Sequence, residues 1–431
     1  MAILFKVPKG VQLPMNKYAA FARPLMRLSV CSSIFRRGEF SQKNILVPLF
    51  DFGSGAMIPV IRVGESVAKN SILARTKNGS QWTISPVSGK LCAVEKLELP
   101  FVGKTPCAHI KPSDKIAELP PIPRNPAHMT GDAIIIAARQ ACIIDEIDGI
   151  PLYLKLAKAK QDGVQMIVAD CIDDSPWVCS ALKTVSDFGD LCADGVGFVL
   201  KVLAGGQAML AVYDPGDLKI NPILSNFGFI KIVRVTGGYP AWPRFEKAFF
   251  NKNDESDLYI RIGVGALRAL SMAVRRGIPQ VDTIITVSGD CVRSPVNLVV
   301  PIGATVRQIL SETGLAKEPN HILVGNTMKG QEIQNQDVPV FPGILAITAM
   351  TEICAAENNA CISCGACSEA CPQGLFPAQA HRLLIKNKKL EAAKFGAAKC
   401  TACGACSAVC PSLIDLTEEM VLLSHDSRHK S

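Results

Sequence analysis

Four cysteines within eleven residues occur twice near the end of this chain, and no other feature constrains its fold as strongly. The first copy begins at Cys361 with the sequence Cys-Ile-Ser-Cys-Gly-Ala-Cys-Ser-Glu-Ala-Cys-Pro. The second begins at Cys400 with Cys-Thr-Ala-Cys-Gly-Ala-Cys-Ser-Ala-Val-Cys-Pro. In both copies two residues separate each of the first three cysteines and three residues precede the fourth. Thiols at this density predict a segment whose backbone is bent around bound metal.

The spacing is typical of proteins that hold two 4Fe-4S clusters. In such proteins three closely spaced thiolates bind three corners of one cluster, and the fourth cysteine binds the other cluster. Gly365 and Gly404 permit a positive φ and close approach of amides to sulfur, and the proline after each run prevents a helix or ladder from continuing. We therefore predict two ligand sets, each made of the first three cysteines of one run and the fourth cysteine of the other run. One set is Cys361, Cys364, Cys367 and Cys410, and the other is Cys371, Cys400, Cys403 and Cys406.

Structural zinc and a disulfide framework are the alternatives for these cysteines. Zinc ribbons use two Cys-x-x-Cys pairs that lie far apart in the sequence. Here each copy is one continuous run of four cysteines, and the run is repeated. The pattern therefore favours two iron-sulfur clusters, which transfer single electrons.

Length and composition predict several folded units besides the cysteine runs. A chain of 431 residues corresponds to roughly three or four domains. Hydrophobic residues make up 48% and charged residues 19%, so several cores can be buried. Cysteines outside the runs fit a reducing cytoplasm better than a secreted setting. They are Cys31, Cys92, Cys107, Cys142, Cys171, Cys179, Cys192, Cys291 and Cys354.

The sequence predicts neither a membrane span nor a secretory signal. Lys6, Lys9 and Lys17 interrupt the start of the chain, and the apolar stretches at 198–213 and 338–350 contain polar residues or prolines. A net charge of +8 is compatible with acidic partners or a membrane surface. We expect a cytoplasmic protein, soluble or peripheral to the inner face of the membrane, that binds no nucleic acid.

Composition and hydrophobic periodicity divide the chain into six segments. Glycine and proline turns separate short strands in the second segment, and helices alternate with apolar strands in the fourth, which is typical of a largely parallel sheet. One helix is predicted from residue 378 to about 394 in the last segment. The segments are an N-terminal arm (1–43), a small all-β unit (44–104), a proline-rich linker (105–130), an α/β unit (131–285), a short β module (286–350) and the cysteine-rich domain (351–423).

The order of these segments, together with three stretches of sequence, resembles the C subunit of Rnf electron-transport complexes. The stretches are Thr286–Leu310, Gly374–Pro377 and Pro411–Leu416, the last two directly following the cysteine runs. The resemblance implies a multidomain α/β fold. Its parts would be a barrel-sandwich hybrid β unit like that of lipoyl domains, an α/β unit like the NADH- and FMN-binding subunit of respiratory complex I, a β-grasp module of the SLBB type, and a C-terminal two-cluster ferredoxin domain.

The resemblance also implies a glycine-rich loop that would hold the phosphates of FMN or NADH at a helix N-terminus. This chain instead has Asp-Glu-Ile-Asp-Gly-Ile-Pro from Asp145 to Pro151, and only Gly149 and Pro151 match the loop. Carboxylates repel phosphates, so we expect this degraded loop to bind neither FMN nor NADH. Gly263-Val264-Gly265 is a weak alternative nucleotide loop, and a helix start or tight turn is the simpler interpretation.

Three further features leave alternatives open. Cys171 and Cys179 are either a redox pair for an incoming partner or two buried small side chains, and we favour burial. His321 and His381 are expected to be ordinary surface or cap residues. Basic residues between the cysteine runs form either a docking patch for an acidic partner or a solvated helix face. They are His381, Arg382, Lys386, Lys388, Lys389, Lys394 and Lys399, against the single acid Glu391.

These observations predict an iron-sulfur protein that relays electrons to a dedicated partner reductase, of the type associated with clostridial proline reductase. One alternative is an NADH-oxidising peripheral subunit of a membrane-bound Rnf complex. The other alternative is a non-enzymatic redox-sensing or assembly subunit. In any of these roles the protein's redox partners would be a reductase, a ferredoxin or flavodoxin, or Rnf-type membrane subunits.

Overall fold

The computed structural model describes residues 3–6, 35–37, 44–51, 55–116, 118–213, 228–236, 239–250, 258–352 and 359–428. It confirms a multidomain α/β protein. A parallel sheet carries helices, two β-rich segments share a core, and a small helical domain follows. Most of the predicted N-terminal arm, with Cys31, lies outside the described residues, and so does Cys354.

A five-stranded parallel sheet forms the centre of the α/β unit. Strands of such a sheet are covered on both faces, so their sequences are almost continuously apolar. Five of the six residues of strand Met166–Cys171 are buried accordingly. The strand order from one edge is Ile3–Lys6, Lys231–Thr236, Gln207–Tyr213, Met166–Cys171 and Tyr259–Gly263. The helices of this unit are Gly131–Gln140, Leu152–Gln161, Ser180–Val202, Ala241–Phe249 and Val264–Arg276.

Alternate residues of these strands supply two separate cores. Leu210 and Val212 belong to the core that contains helices Ser180–Val202 and Val264–Arg276. Met209 and Ala211, which point to the opposite face because strand side chains alternate, pack in the core of helix Ala241–Phe249. The sheet therefore separates the two sets of helices.

The two β-rich segments share one hydrophobic core. Ile45 of the first packs in the same cluster as Ile285 and Leu298 of the second. The first segment contains a sheet ordered Ile45–Pro48, Gly103–Pro112, Gly89–Leu99 and Ser66–Val67. Smaller sheets pair Ile58–Pro59, Ile72–Arg75 and Trp82–Ile84, and also Phe50–Asp51 with Gly55–Ala56.

The second β-rich segment carries a six-stranded sheet and one helix, Val306–Thr313. Thr305 and Gln308 form a capping box at the start of this helix. The sheet order is Gln331–Glu332, His321–Val324, Ala346–Met350, Asp282–Ser288, Val296–Pro301 and Phe35–Arg37. The names barrel-sandwich and β-grasp for the two segments stay predictions.

Strands cross two of the predicted boundaries, and strand pairing joins the predicted arm to two sheets. Ile3–Lys6 pairs with Lys231–Thr236 and Phe35–Arg37 pairs with Val296–Pro301, so the arm supplies edge strands to two sheets. Strand Gly103–Pro112 runs past residue 105, where we placed the start of the linker. Strand Asp282–Ser288 crosses the predicted boundary at 285. Local composition does not reveal such boundaries, because partners far away in sequence determine where a strand ends.

Short helices surround the cysteine runs. They are Ala366–Ala370, Pro377–Ile385, Lys389–Ala393, Ala405–Ala408 and Leu416–Arg428. The prediction of one helix from 378 to 394 is wrong. The chain breaks at Asn387, which has a φ of 56° and is a residue type that tolerates the left-handed region. No helix in the described part of the chain is long and apolar enough to cross a membrane.

Gly195 allows the two longest helices of the α/β unit to approach closely. A Cβ atom at this position would lie 2.2 Å from the carbonyl oxygen of Leu267 on helix Val264–Arg276. Gly197 is on the same helix, and a Cβ there would meet nothing within 4 Å. The two glycines therefore form a matched pair.

We predict that Gly195→Ala lowers the free energy of unfolding by about 1–3 kcal/mol, because overpacking forces the helices apart. Gly197→Ala should instead raise it by roughly 0.5–1 kcal/mol through helix propensity. Denaturant unfolding followed by circular dichroism measures both effects. If both variants change the free energy of unfolding equally, the two helices do not pack closely at Gly195.

Candidate iron-sulfur site

The two cysteine runs have nearly identical backbone conformations. Gly365 and Gly404 both have a φ of 81°, as expected from the sequence. Ser363 and Ala402, each directly before the second cysteine of its run, also have positive φ, at 62° and 51°. The left-handed residues turn the backbone so that a short helix begins directly after each glycine. Each run is thus a bent loop followed by one helical turn.

Four of the predicted ligands line one cavity, and they come from both runs. Cys371 of the first run lies there with Cys400, Cys403 and Cys406 of the second. The other lining residues include Thr417 and Met420, and Met420 is buried. The structure therefore brings together the four residues of the second predicted ligand set.

Burial makes the three thiols of the second run in this cavity poorer acids. It raises the pKa of Cys406 to about 12, and the neighbouring Cys403, Cys400 and Cys371 add to the rise. Burial also raises the pKa values of Cys400 and Cys403. Because metal binds the thiolate, loading of this site must release protons.

Backbone amides point at the sulfur atoms of this set. The amide of Leu375 donates to Cys371 Sγ at 3.4 Å, and that of Ala402 donates to Cys400 Sγ at 3.5 Å. Such N–H groups stabilise negative charge on the thiolates and tune the potential of a bound cluster. The donor set thus fits a 4Fe-4S cluster.

The first predicted set is less completely enclosed. Cys361, Cys367 and Cys410 pack in one hydrophobic cluster, which also contains Cys406. Cys364 is exposed, but it is close enough to contribute to the raised pKa of Cys367, whose main cause is burial. Next to Cys364, the side chain of Ile362 is 66% exposed. The first run therefore faces solvent more than the second.

Structural zinc, the alternative for these cysteines, requires four ligands around one ion. Among the described residues, no three histidine, cysteine, aspartate or glutamate side chains are placed to hold a single metal ion.

Two neighbouring units hold the cysteine-rich domain in place. Tyr239 is buried among Cys367, Ala405 and Cys406, and its hydroxyl donates to the carbonyl oxygen of Cys403. Burial raises the pKa of this tyrosine well above its usual value, so it remains a neutral donor. On another side, a Cβ on Gly404 would lie 2.2 Å from the carbonyl oxygen of Met328 in the second β-rich segment. Sequence reasoning missed this role of Tyr239, because its partner Cys403 lies far away in sequence.

The acidic segment that replaces the glycine-rich loop lies at the start of helix Val264–Arg276. Glu146 accepts hydrogen bonds from the amides of Gly265 and Ala266, at 2.6 and 2.9 Å. Burial, followed by the charge of Asp145, raises the pKa of Glu146 to about 8. Burial also raises the pKa of Asp145, although Lys155 opposes this rise from 2.5 Å. Gly263-Val264-Gly265 is the helix start that we considered the simpler interpretation.

The remaining cysteine and histidine predictions have mixed outcomes. Cys171 and Cys179 are 1% and 0% exposed in the core of the α/β unit, in agreement with burial. Cys179 is, however, disulfide-bonded and not a free small side chain. His321 is half-buried and lies 2.8 Å from Glu332.

The prediction of a surface or cap position for His381 is wrong. This residue is only 6% exposed, its Nδ1 atom lies 2.8 Å from Glu419, and its Nε2 atom is buried without a hydrogen-bond partner. The predicted basic patch therefore loses one member to the interior of the domain.

Comparison with known proteins supports both the site and the resemblance. A 4Fe-4S dicluster domain family matches residues 360–414. Over 367 residues the chain is 26% identical to the C subunit of the proton-translocating ferredoxin:NAD(+) oxidoreductase complex of Clostridium ljungdahlii, covering 81% of this chain and 80% of that protein. Over 375 residues it is 28% identical to the C subunit of the ion-translocating oxidoreductase complex of Rhodobacter capsulatus, covering 82% and 72%.

The predicted resemblance to the C subunits of Rnf complexes is therefore confirmed, and the chain is homologous to these proteins along most of its length. Among solved structures, an NAD+-reducing [NiFe]-hydrogenase in the air-oxidized state aligns with a TM-score of 0.49 and 13% identity, over 71% of this chain and 67% of that one.

We predict that Tyr239→Phe loosens the cysteine-rich domain, because the buried carbonyl of Cys403 loses its donor at a cost of about 1–3 kcal/mol. Amide hydrogen exchange in residues 360–414 should accelerate. Tyr259→Phe is the matched control, since its hydroxyl donates to Glu246 within the α/β unit, at 2.5 Å. If both variants change exchange in 360–414 equally, Tyr239 has no special role in holding this domain.

Proposed function

We propose that this protein relays single electrons between protein partners through two 4Fe-4S clusters. Cys361, Cys364, Cys367 and Cys410 would hold one cluster, and Cys371, Cys400, Cys403 and Cys406 the other. The observation that carries the proposal is the single cavity lined by Cys371 and three cysteines of the second run. Bound clusters would supply reversible one-electron oxidation and reduction. The chain itself supplies thiolates, amide donors to sulfur and a buried setting that limits access of water.

The homologues suggest the kind of partner. Their names place them in ion-translocating complexes, one of which acts on ferredoxin and NAD(+). We infer that this chain likewise passes electrons to or from another protein and associates peripherally with its partner complex. A dedicated reductase, of the proline reductase type, is the partner we favour over a membrane-bound Rnf complex. The acidic segment at Asp145–Pro151 supports this choice, since an NADH-oxidising subunit needs a nucleotide site.

Anaerobic titration of the reconstituted protein tests this function. We expect dithionite to bleach the absorbance of about eight irons per chain and to produce EPR signals of two reduced 4Fe-4S clusters. NADH alone should leave the spectrum unchanged. Bleaching by NADH with flavin bands would favour the NADH-oxidising alternative. Potentials well above the ferredoxin range near about −400 mV would favour a redox sensor.

Double substitutions test whether the fourth cysteine of each run binds the cluster of the other run. We expect Cys371→Ser combined with Cys400→Ser to remove about four irons, because both residues serve one cluster. Cys371→Ser combined with Cys361→Ser should remove about eight, because each substitution disables a different cluster. Iron analysis and EPR measure both, and exposed Cys92→Ser is the control. The opposite pattern of iron loss would show that each run binds its own cluster.

The surface between the cysteine runs supports docking of an acidic redox protein. Lys386, Lys389, Lys394 and Lys399 are exposed, whereas Lys388 pairs with Glu391 at 3.1 Å. Large apolar side chains are exposed on the same segment, namely Phe376, Ile385 and Leu390 at 53%, 67% and 68%. Apolar contacts give a protein interface its affinity, while charges at its edge increase the rate of association. This surface lies next to Cys400, a predicted ligand.

We predict that Lys389→Glu combined with Lys394→Glu slows electron transfer to an acidic ferredoxin by about tenfold or more at low salt. The difference should shrink as ionic strength rises, because salt screens exposed charges. Stopped-flow absorbance measures the rate. The control is Lys111→Glu combined with Lys115→Glu, which changes the net charge by the same amount. Both lysines are exposed and lie outside the segment between the cysteine runs. If this control slows transfer as much, only net charge matters.

A further inference from the structure

Two carboxylates of the acidic segment bind three amides at the start of helix Val264–Arg276. Glu146 accepts from Gly265 and Ala266. Asp145 accepts from the amide of Gly263 at 3.1 Å. A helix start of this kind attracts anions, because its amides have no partners within the helix and the helix dipole is positive there. In this protein carboxyl groups of the chain itself occupy that position, and Glu146 is charged there above its raised pKa of about 8.

The glycines at this helix start accommodate Glu146. A Cβ on Gly263 would lie 2.2 Å from Glu146 Oε1, and a Cβ on Gly265 would lie 2.8 Å from the same atom. Glycine normally permits close approach of a nucleotide phosphate to backbone amides. Here the space that the two glycines leave open is filled by a carboxylate.

The nearby cation is also paired internally. Lys155 lies 2.5 Å from Asp145 and 2.8 Å from Asp148, and its side chain is only 11% exposed. A phosphate would therefore have to displace Glu146 from the helix and compete with two carboxylates for Lys155. Both steps leave a buried charged group without its partner, which is costly.

The adjoining cavity is too small for a flavin. Its volume is about 50 Å³, and Glu146, Asp170, Asp173 and Arg268 are among its lining residues. Sites for ligands of drug size measure about 300–1,000 Å³. Arg268 is also engaged, because it pairs with Asp282 at 2.9 Å and lies over the ring of Phe188 at 4.8 Å. The residues present do not fit FMN or NADH.

We infer that Glu146 is a built-in substitute for the phosphate of a nucleotide cofactor and keeps this site closed to FMN and NADH. The chain then receives electrons only from another protein. The statement that electrons come only from another protein rests on the proposed relay function. The statement that Glu146 takes the place of a phosphate rests on its contacts with Gly265 and Ala266. The ligand class that the site would accept once Glu146 is removed is a small phosphate-like anion.

The test uses full-length protein with both clusters reconstituted, and inorganic phosphate and FMN as probes. Wild type should show no FMN fluorescence quenching and no phosphate-dependent change in thermal midpoint relative to chloride at equal ionic strength. Glu146→Ala should gain phosphate-dependent stabilisation and slower amide exchange at residues 263–266. Asp162→Ala, which removes an exposed carboxylate of the same unit that takes no part in these contacts, should behave as wild type does.

An isosteric variant keeps the test decisive if Glu146→Ala does not fold. Glu146→Gln can still accept from Gly265, but it presents an NH₂ group to the amide of Ala266. Well above pH 8, where Glu146 is charged, exchange of the Ala266 amide should then be roughly tenfold or more faster than in wild type, since a hydrogen bond to a charged acceptor is lost. FMN binding by wild type would overturn the inference, as would unchanged exchange at Ala266. Reduction of the clusters by dithionite, measured in every variant, reports separately on the relay.

Discussion

The position of Cys371 among the cysteines of the second run is the constraint on which the C-terminal domain depends. The cavity at these cysteines is lined by residues of both runs, so the two loops and their short helices pack against each other. Helices Pro377–Ile385 and Leu416–Arg428 complete the enclosure, and burial raises the pKa values of Cys400, Cys403 and Cys406 inside it. Metal binding would deprotonate them and hold both loops at once. Folding of this domain and loading of its site are therefore expected to be coupled.

The remainder of the chain positions that domain. Tyr239 reaches from the segment between sheet and helix into the core around Cys367 and Cys406. Met328 of the second β-rich segment packs against Gly404, which tolerates the contact because it has no side chain. The domain thus lies against two units whose own cores are separate. This gives a route by which changes in the α/β unit can reach the second cysteine run.

Sequence reasoning succeeded where a short motif carries the chemistry. The cysteine spacing, the positive φ of Gly365 and Gly404 and the family resemblance required only residues that are close in sequence. It failed for His381, for the break at Asn387 and for the edge strand Ile3–Lys6. His381 and the edge strand depend on partners far away in sequence, namely Glu419 and strand Lys231–Thr236. The break at Asn387 is local, between helices Pro377–Ile385 and Lys389–Ala393, but no glycine or proline marks it in the sequence. The acidic segment is intermediate, because its charge was evident but its contact with a helix more than a hundred residues away was not.

By itself the sequence determined the metal-binding chemistry, the parallel α/β character of the central unit and the loss of the glycine-rich loop. These follow from side-chain type and from local periodicity, which every stretch of the chain carries within itself. Tertiary structure alone decided that Tyr239 holds the cysteine-rich domain and that Glu146 occupies the helix start at Gly265. The physical reason is that each of these contacts joins residues brought together only by packing, where burial and hydrogen-bond geometry select the partner.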